Sequence, residues 1–576
     1  MNRPAAIRFD NFTFRYRTQA EPSLYSINLT INSGEKVLIA GPSGSGKSTL
    51  IHCINGLIPH AFTGAAEGSL FIFGEDAAKM NIPAISKKAG TVLQDTDGQF
   101  VALTAAEDIA FAAENDCVPV DEIRRRVIEA AGLVQMEEHL DKAPQDLSGG
   151  QKQRISIAGI LMENTDILLF DEPLANLDPA AGKEAVELID DLHRGTGKTV
   201  IIVEHRLEDA LHRPVDRIIV IDKGRITADM NPSELLASEV LRNTGLREPL
   251  YISGLRYAGI TVRAENRPED LARLSFDPAP MREWKGPPPA AEEKKPAPAV
   301  LEIRNLSFSY GDGAEKPALI DVSLEIRKGE CFCIAGKNGA GKSTLAKIIC
   351  GFVKPSPGTV FYDGKDIAPL SIRERASRIG YVMQNPNQMI SFPMIYDEAA
   401  LSLRTAGLAE NEVREKVYGA LSVCGLYPFR NWPVSALSYG QKKRLTIASV
   451  LVMNVEVLIL DEPTAGQDFR RYSEIMEFLS DLGKQKDITL ILITHDMHLM
   501  LEYSDRTAAF SEGRLIALDS PAAVLTDDGI IEKACLKRTS LYDLAVMSGI
   551  DDPRLYVERF IAWERNMRET ARGAAV

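Results

Sequence analysis

The chain lacks any apolar run approaching the roughly 18 residues that a membrane-crossing helix requires, so work at a membrane would need another polypeptide. Met1 to Asp10 also lacks the apolar core of a signal peptide. Cysteine is scarce, with 7 residues in 576, odd in number and scattered. Only Cys331 and Cys333 lie close together, on what reads as a buried strand, and no second Cys or His cluster completes a metal site there. Such a set fits small core residues in a reducing cytosol and not a disulfide framework. There is no excess of positive charge: 66 Lys and Arg stand against 80 Asp and Glu, a formal net charge of −14. This argues against a large electrostatic grip on nucleic acid, which depends on basic side chains neutralising phosphates. What is present is an ordinary globular balance, 45% hydrophobic and 25% charged. A chain of this length exceeds one hydrophobic core and predicts about three or four folding units.

Two long blocks match in order and spacing. Asn11-Phe-Thr-Phe-Arg-Tyr16 answers Asn305-Leu-Ser-Phe-Ser-Tyr310, and Gly41-Pro-Ser-Gly-Ser-Gly-Lys-Ser48 answers Gly336-Lys-Asn-Gly-Ala-Gly-Lys-Ser343. Gln94 and Gln384, Ser148 and Ser438, Asp171 and Asp461, and His205 and His495 then pair at one constant offset. Between the blocks, Lys285 to Pro298 is rich in Pro, Ala and charge, which cannot bury apolar surface and reads as an interdomain linker. The expected organisation is a first domain over 5–240, an appendage and linker over 241–299, a second domain over 300–525 and a helical appendage over 526–576. Within each half, short apolar runs alternate with amphipathic stretches, the α/β pattern of strands joined by crossover helices. Lys36 to Ala40 reads as a buried strand and Leu50 to Asn55 as part of the next helix, stopped by Gly56 and Pro59. The counterpart runs through Cys331 to Ala335 and a helix ending at Gly351.

A strand, a Gly-x-x-x-x-Gly-Lys-Ser loop and a helix make a phosphate cradle. Gly41, Gly44 and Gly46 let the backbone wrap close to phosphate oxygens, with N–H groups inward and the helix N-terminus adding partial positive charge. Lys47 supplies a point charge to the β- and γ-phosphates, and Ser48 a hydroxyl for Mg²⁺. Ser43, Ser45 and Thr49 complete the first cradle; Gly336, Asn338, Gly339, Ala340, Gly341, Lys342, Ser343 and Thr344 form the second. A plain glycine turn would explain one such loop, but not two in strand-to-helix context. Downstream, Ile167 to Glu172 and Val457 to Glu462 are apolar strands ending in paired acids. Asp171 and Asp461 are placed to hold Mg²⁺, while Glu172 and Glu462 can polarise the attacking water as general bases.

Leu147-Ser-Gly-Gly-Gln151 and Leu437-Ser-Tyr-Gly-Gln441 resemble the signature motif of the ATP-binding-cassette family. The resemblance covers roughly 5–240 and 300–530. It implies two P-loop nucleotide-binding domains in tandem, each a mainly parallel core sheet with helices, an antiparallel β subdomain and a helical subdomain. It further implies that Ser148, Gly149, Gly150 and Gln151 of one half, and Ser438, Tyr439, Gly440 and Gln441 of the other, cap the γ-phosphate held by the opposite cradle. Gln94 and Gln384 resemble the loop glutamines sensing Mg²⁺ and the attacking water, and His205 and His495 the switch histidines. Tyr16 and Tyr310 resemble the aromatic that stacks on adenine, and Asp178 and Asp468 the acid closing the loop between halves. The implied activity is hydrolysis of ATP with Mg²⁺ at two composite sites. Tyr439, where the first half has Gly149, departs from the motif and is tolerable if its backbone stays at negative φ.

Such cassettes power importers, exporters, ribosome factors and DNA-repair proteins. Val92-Leu-Gln-Asp-Thr-Asp-Gly-Gln-Phe100 and, less closely, Val382-Met-Gln-Asn-Pro-Asn-Gln-Met389 are similar to the loop of energy-coupling-factor ATPases of vitamin and cobalt or nickel uptake. That likeness implies a peripheral subunit at the cytoplasmic face of the membrane, and since one chain supplies both halves, one copy per complex is expected. Its partners would be an integral membrane scaffold and a separate substrate-binding membrane subunit. The alternatives are a translation factor acting on ribosomes, whose charged helical linker the Pro-Ala stretch matches poorly, and a fused sugar-importer ATPase.

Overall fold

The computed structural model describes residues 3–94, 97–163, 165–175, 177–288, 297–311, 317–464 and 467–573. Residues 289–296 of the expected linker and residues 95 and 96 after Gln94 lie outside them. The chain forms two compact units: Met1–Leu177, Ala181–Asp277 and Asp468–Arg470 in the first, Asp178–Ala180, Pro278–Gln467 and Arg471–Val576 in the second.

The first unit contains β1 (Ala5–Tyr16), β2 (Leu24–Asn32), β3 (Lys36–Ala40), β4 (Gly64–Ile72), β5 (Glu75–Asp76), β6 (Ala89–Val92), β7 (Ile167–Asp171), β8 (Thr199–Val203), β9 (Arg217–Asp222) and β10 (Arg225–Met230). β2-β1-β4-β5 form an antiparallel sheet, and β10-β9-β3-β8-β7-β6 a six-stranded sheet that is parallel except for β10. All five residues of β3, β7 and β8 are buried, as continuous Val-Ile-Leu runs require when both sheet faces are covered. By contrast, most of β2 alternates buried and exposed residues, because only one of its faces packs on the core. Phe9, Phe14, Ile39 and Leu50 join both sheets in one core.

The second unit repeats this plan with β11 (Ala299–Phe308), β12 (Leu319–Arg327), β13 (Cys331–Gly336), β14 (Thr359–Tyr362), β15 (Lys365–Asp366), β16 (Ile379–Val382), β17 (Val457–Asp461), β18 (Thr489–Ile493), β19 (Arg506–Ser511) and β20 (Arg514–Asp519). Its sheets run β12-β11-β14-β15 and β16-β17-β18-β13-β19-β20. Each unit also carries a helical group, Ala105–Asn115, Val120–Leu133 and Gly149–Leu161 in the first and Ile395–Thr405, Glu410–Val423 and Tyr439–Leu451 in the second.

The helix after the first cradle spans Lys47–Ile54, but Pro59 does not stop it. Asn55 and Gly56, the latter at φ 79°, end the helix, and Pro59 sits in a short second helix, Leu57–His60. There Ile58 is forced to φ −102°, ψ 123°, the extended conformation a residue before proline adopts. The second half does stop at Gly351, at φ 83°. Beyond β20, the helix Pro553–Gly573 buries Tyr556, Val557 and Phe560. Trp284 packs edge-on against Tyr556 and Trp563 at 5.4 and 6.2 Å, so the end of the segment before the linker belongs with the C-terminal helices. Among the described residues no helix is long and apolar enough to cross a membrane.

Candidate functional site

Each cradle joins the buried end of a strand to a helix. Gly41 has no room for a side chain, since a Cβ would lie 2.2 Å from the Ile221 carbonyl oxygen, and Gly46 sits at φ 109° in the left-handed region that favours glycine. Folded this way, the loop gives its carbonyls to the lysine: Lys47 Nζ donates to Gly41 O at 2.7 Å and Pro42 O at 3.1 Å. Lys342 Nζ does the same to Gly336 O and Lys337 O, at 2.7 and 2.8 Å. Both lysines are almost fully buried, and burial lowers their pKa against the opposing pull of Glu172 and Glu462 respectively. Ser45 Oγ is buried without a hydrogen-bond partner, a polar atom aligned for something the chain itself does not supply. Tyr16 and Tyr310 each contact the helix after their cradle, hydroxyl to Thr49 and Thr344 at 3.2 Å.

β7 and β17 end in the acid pairs beside these loops. Glu172 and Glu462 both stand at positive φ, 49° and 43°, and anchor through N–H donation to Val203 O and Ile493 O. Asp171 Oδ1 is buried with no hydrogen-bond partner, so its lone pairs fit a cation or a cation-bound water. Burial, then the neighbouring Glu172 charge, raises Asp171 to about 6 against the pull of Lys47. A raised folded-state pKa stabilises the fold below the unfolded value of about 3.9 and loses that contribution as pH rises through 6. Without metal or nucleotide, Asp171→Asn is therefore expected to be more stable than the parent at pH 7 by about 1–3 kcal/mol in urea melts, a margin that closes below about pH 4.

The two halves differ in how the other groups are wired. In the first, Gln94 Nε2 donates to Glu172 at 2.6 Å, while His205 Nδ1 lies 3.3 Å from Glu204 and 3.8 Å from Glu172. Burial pushes His205 down, but the two carboxylates outweigh it and its pKa is raised. In the second, His495 contacts Glu462 directly, Nδ1 at 2.7 Å and the main-chain N–H at 3.1 Å, and the Thr494 hydroxyl donates to the same carboxylate at 3.0 Å. Burial pushes Glu462 up, yet His495, Lys342 and Thr494 together hold it below the usual range. Tyr381 also donates to Asp461 at 2.7 Å, where the first half has Thr91. Glu204 and Tyr381 escaped the motif reading, although aligning the repeats position by position exposes both.

The Ser148 and Ser438 turns are helix N-caps. Gln151 N–H donates to Ser148 Oγ at 3.3 Å and Ser148 N–H returns to Gln151 Oε1 at 2.9 Å; Ser438 and Gln441 repeat the capping box. The helices thus begin at Gly149 and Tyr439, directly after the capping serines. Tyr439 takes the first helical position without positive φ, and its hydroxyl donates to Gln384 O at 3.4 Å. Within the first unit Ser43 N–H donates to Asp468 at 2.5 Å, and within the second Asn338 N–H donates to Asp178 at 3.3 Å.

Comparison with known proteins follows the same lines. A family model described as ABC transporter matches residues 24–175 and 319–465, together more than half the chain. A second, described as ATP-binding cassette cobalt transporter, matches residues 238–308. Relatives whose names call them ABC transporter ATP-binding proteins are 53% identical over 570 residues in Clostridium perfringens, covering 99% of this chain and 100% of the relative, and 51% identical over 564 residues in Enterococcus faecalis, covering 98% and 99%. Another in Vibrio parahaemolyticus is 49% identical over 569 residues, covering 98% of each. Among solved structures, that of cbiO1 from Clostridium perfringens, part of the ABC transporter complex cbiONQ, is 38% identical with a TM-score of 0.38, covering 41% of this chain and 94% of that one.

Proposed function

The chain belongs to the ABC transporter ATP-binding family, and from that premise we propose that it is the ATPase of an energy-coupling-factor importer taking up a transition-metal ion or a vitamin. Nucleotide binding and ATP hydrolysis come with the family. The observation that carries the finer reading is the cobalt-transporter match over 238–308, which falls mostly on the appendage and linker, outside the nucleotide cradles.

In this reading Ser48, Gln94 and Asp171, and their counterparts Ser343, Gln384 and Asp461, hold Mg²⁺, which neutralises phosphate charge when bound. Glu172 and Glu462 accept a proton from the attacking water, and His205 and His495 face the γ-phosphate. Each signature turn caps the nucleotide of the opposite cradle.

The surface after Gln94 supports attachment to membrane subunits. Val101 is 63% and Leu103 82% exposed, apolar side chains that gain by burial against a partner helix. Phe392, next to the counterpart of Leu103 in the second half, is also exposed. Tagged chain drawn from detergent-solubilised membranes is expected to bring small integral membrane proteins with it. Leu103→Asp with Phe392→Asp is expected to release them, while ATP hydrolysis by the isolated chain stays within about twofold, since neither residue touches a cradle. Recovery of ribosomal subunits in place of membrane proteins would contradict the import reading.

A further inference from the structure

One buried ion pair of the first half is missing from the second. Lys36 opens β3 and reaches Asp190 at 2.8 Å, both side chains under 5% exposed, with Arg194 joining Asp190 at 3.2 Å. The repeat fixes which residues correspond. Lys36 N–H donates to Asp216 at 2.8 Å and Cys331 N–H to Asp505 at 2.9 Å; Gly34 N–H and Gly329 N–H donate to Thr199 and Thr489, each at 3.0 Å. Cys331 therefore stands where Lys36 does. The helices Pro179–Thr196 and Phe469–Lys486 are both 18 residues long and place Ser480 where Asp190 stands. Two small side chains replace a long cation and its carboxylate, and a cavity of about 270 Å³ lies at that place in the second unit. The C-terminal helix Pro553–Gly573 walls it with Arg565 and Arg568.

Most charges lining this cavity are neutralised by the protein. Glu330 pairs with Arg506 at 3.3 Å, Glu502 with Arg568 at 2.7 Å, and Asp487 with Lys328 at 3.4 Å. Glu477 and Lys484 also line the cavity, and neither is free of partners; among the described residues, Asp505 and Arg565 form no ion pair. Asp505, an exposed residue, accepts the Cys331 N–H and among the described residues has no cationic partner, although its counterpart Asp216 lies in the field of the Lys36 ammonium. Arg565 donates to the main-chain carbonyls Glu502 O at 3.0 Å and Ser504 O at 3.2 Å, and among the described residues pairs with no carboxylate. Met476, Ile488 and Leu490 add apolar wall between these polar ends.

We propose that this cavity binds a small zwitterion of the amino-acid class. Its primary ammonium takes the place that the Lys36 ammonium fills in the first half, facing Asp505 and the Ser480 hydroxyl, and its carboxylate meets Arg565. A molecule carrying both charges meets Arg565 on the wall and the exposed Asp505 at the mouth together, whereas a singly charged one gains only one of these charge-assisted contacts. Occupancy would tie the C-terminal helix to the start of β13.

Calorimetric titration and thermal melts of the full chain with the common L-amino acids, 6-aminohexanoate, n-butylamine and hexanoate test this. At least one zwitterion is expected to bind saturably and raise the unfolding temperature, with n-butylamine and hexanoate at least about tenfold weaker. Cys331→Lys with Ser480→Asp installs the pair that the first half shows to be compatible with the fold. It is expected to abolish binding while ATP hydrolysis persists. Arg565→Gln is expected to weaken the zwitterion at least about tenfold and leave n-butylamine unchanged. No saturable binding of any zwitterion below about 10 mM, or binding undiminished in the double variant, would overturn the assignment.

Discussion

Replacing Glu172 and Glu462 together by glutamine is expected to cut steady-state ATP turnover by about 10²–10⁴-fold, the contribution of a positioned general base. The amide keeps the size and hydrogen-bonding reach of the acid, so Gln94 and His495 retain a partner while the proton acceptor is lost. Nucleotide binding is expected to survive, since neither carboxylate belongs to a cradle. Measured singly, Glu172→Gln and Glu462→Gln should each lower turnover; a variant hydrolysing ATP at the parent rate would show that its site is idle. The comparison is informative because the two acids are held differently. Glu462 accepts from Thr494 and twice from His495, whereas Glu172 accepts from Gln94 and has His205 at 3.8 Å.

The cradle lysines carry the second large effect. Lys47→Met with Lys342→Met is expected to weaken ATP binding at least about 10–100-fold at each site, the equivalent of one charge-assisted hydrogen bond lost to phosphate. Each ammonium is buried, lies within 2.7–3.1 Å of two loop carbonyls, and is lowered in pKa by burial, so it rests in a poorly solvated place that a triphosphate would complete. Equilibrium titration with a fluorescent ATP analogue measures the loss, and an unchanged circular-dichroism spectrum separates it from unfolding.

Much of this was legible in the sequence because phosphate chemistry constrains backbone and side chain together. A loop that must bring N–H groups to phosphate can only use glycine where a Cβ would meet Ile221 O, and a buried parallel strand must be apolar throughout, so Gly41 and Lys36 to Ala40 announce themselves. Pro59 misled, because a proline stops a helix only if the chain has not already turned, and Gly56 turns it first. Glu204 and Tyr381 were hidden for another reason: each belongs to one half only, so a motif built on what the halves share passes over it. The lysine-for-cysteine exchange stood in the paired strands beginning at Lys36 and Cys331, but its consequence did not, because Asp190 and Ser480 come to these positions only through the fold.

A cryo-EM map of the Glu172→Gln, Glu462→Gln chain with MgATP tests most directly whether two half-sites make one. The expected map holds two nucleotides, the γ-phosphate over Lys47 sealed by Ser438 and that over Lys342 by Ser148. Nucleotide bound to either cradle with the serine turn of the other half pointing elsewhere would contradict it.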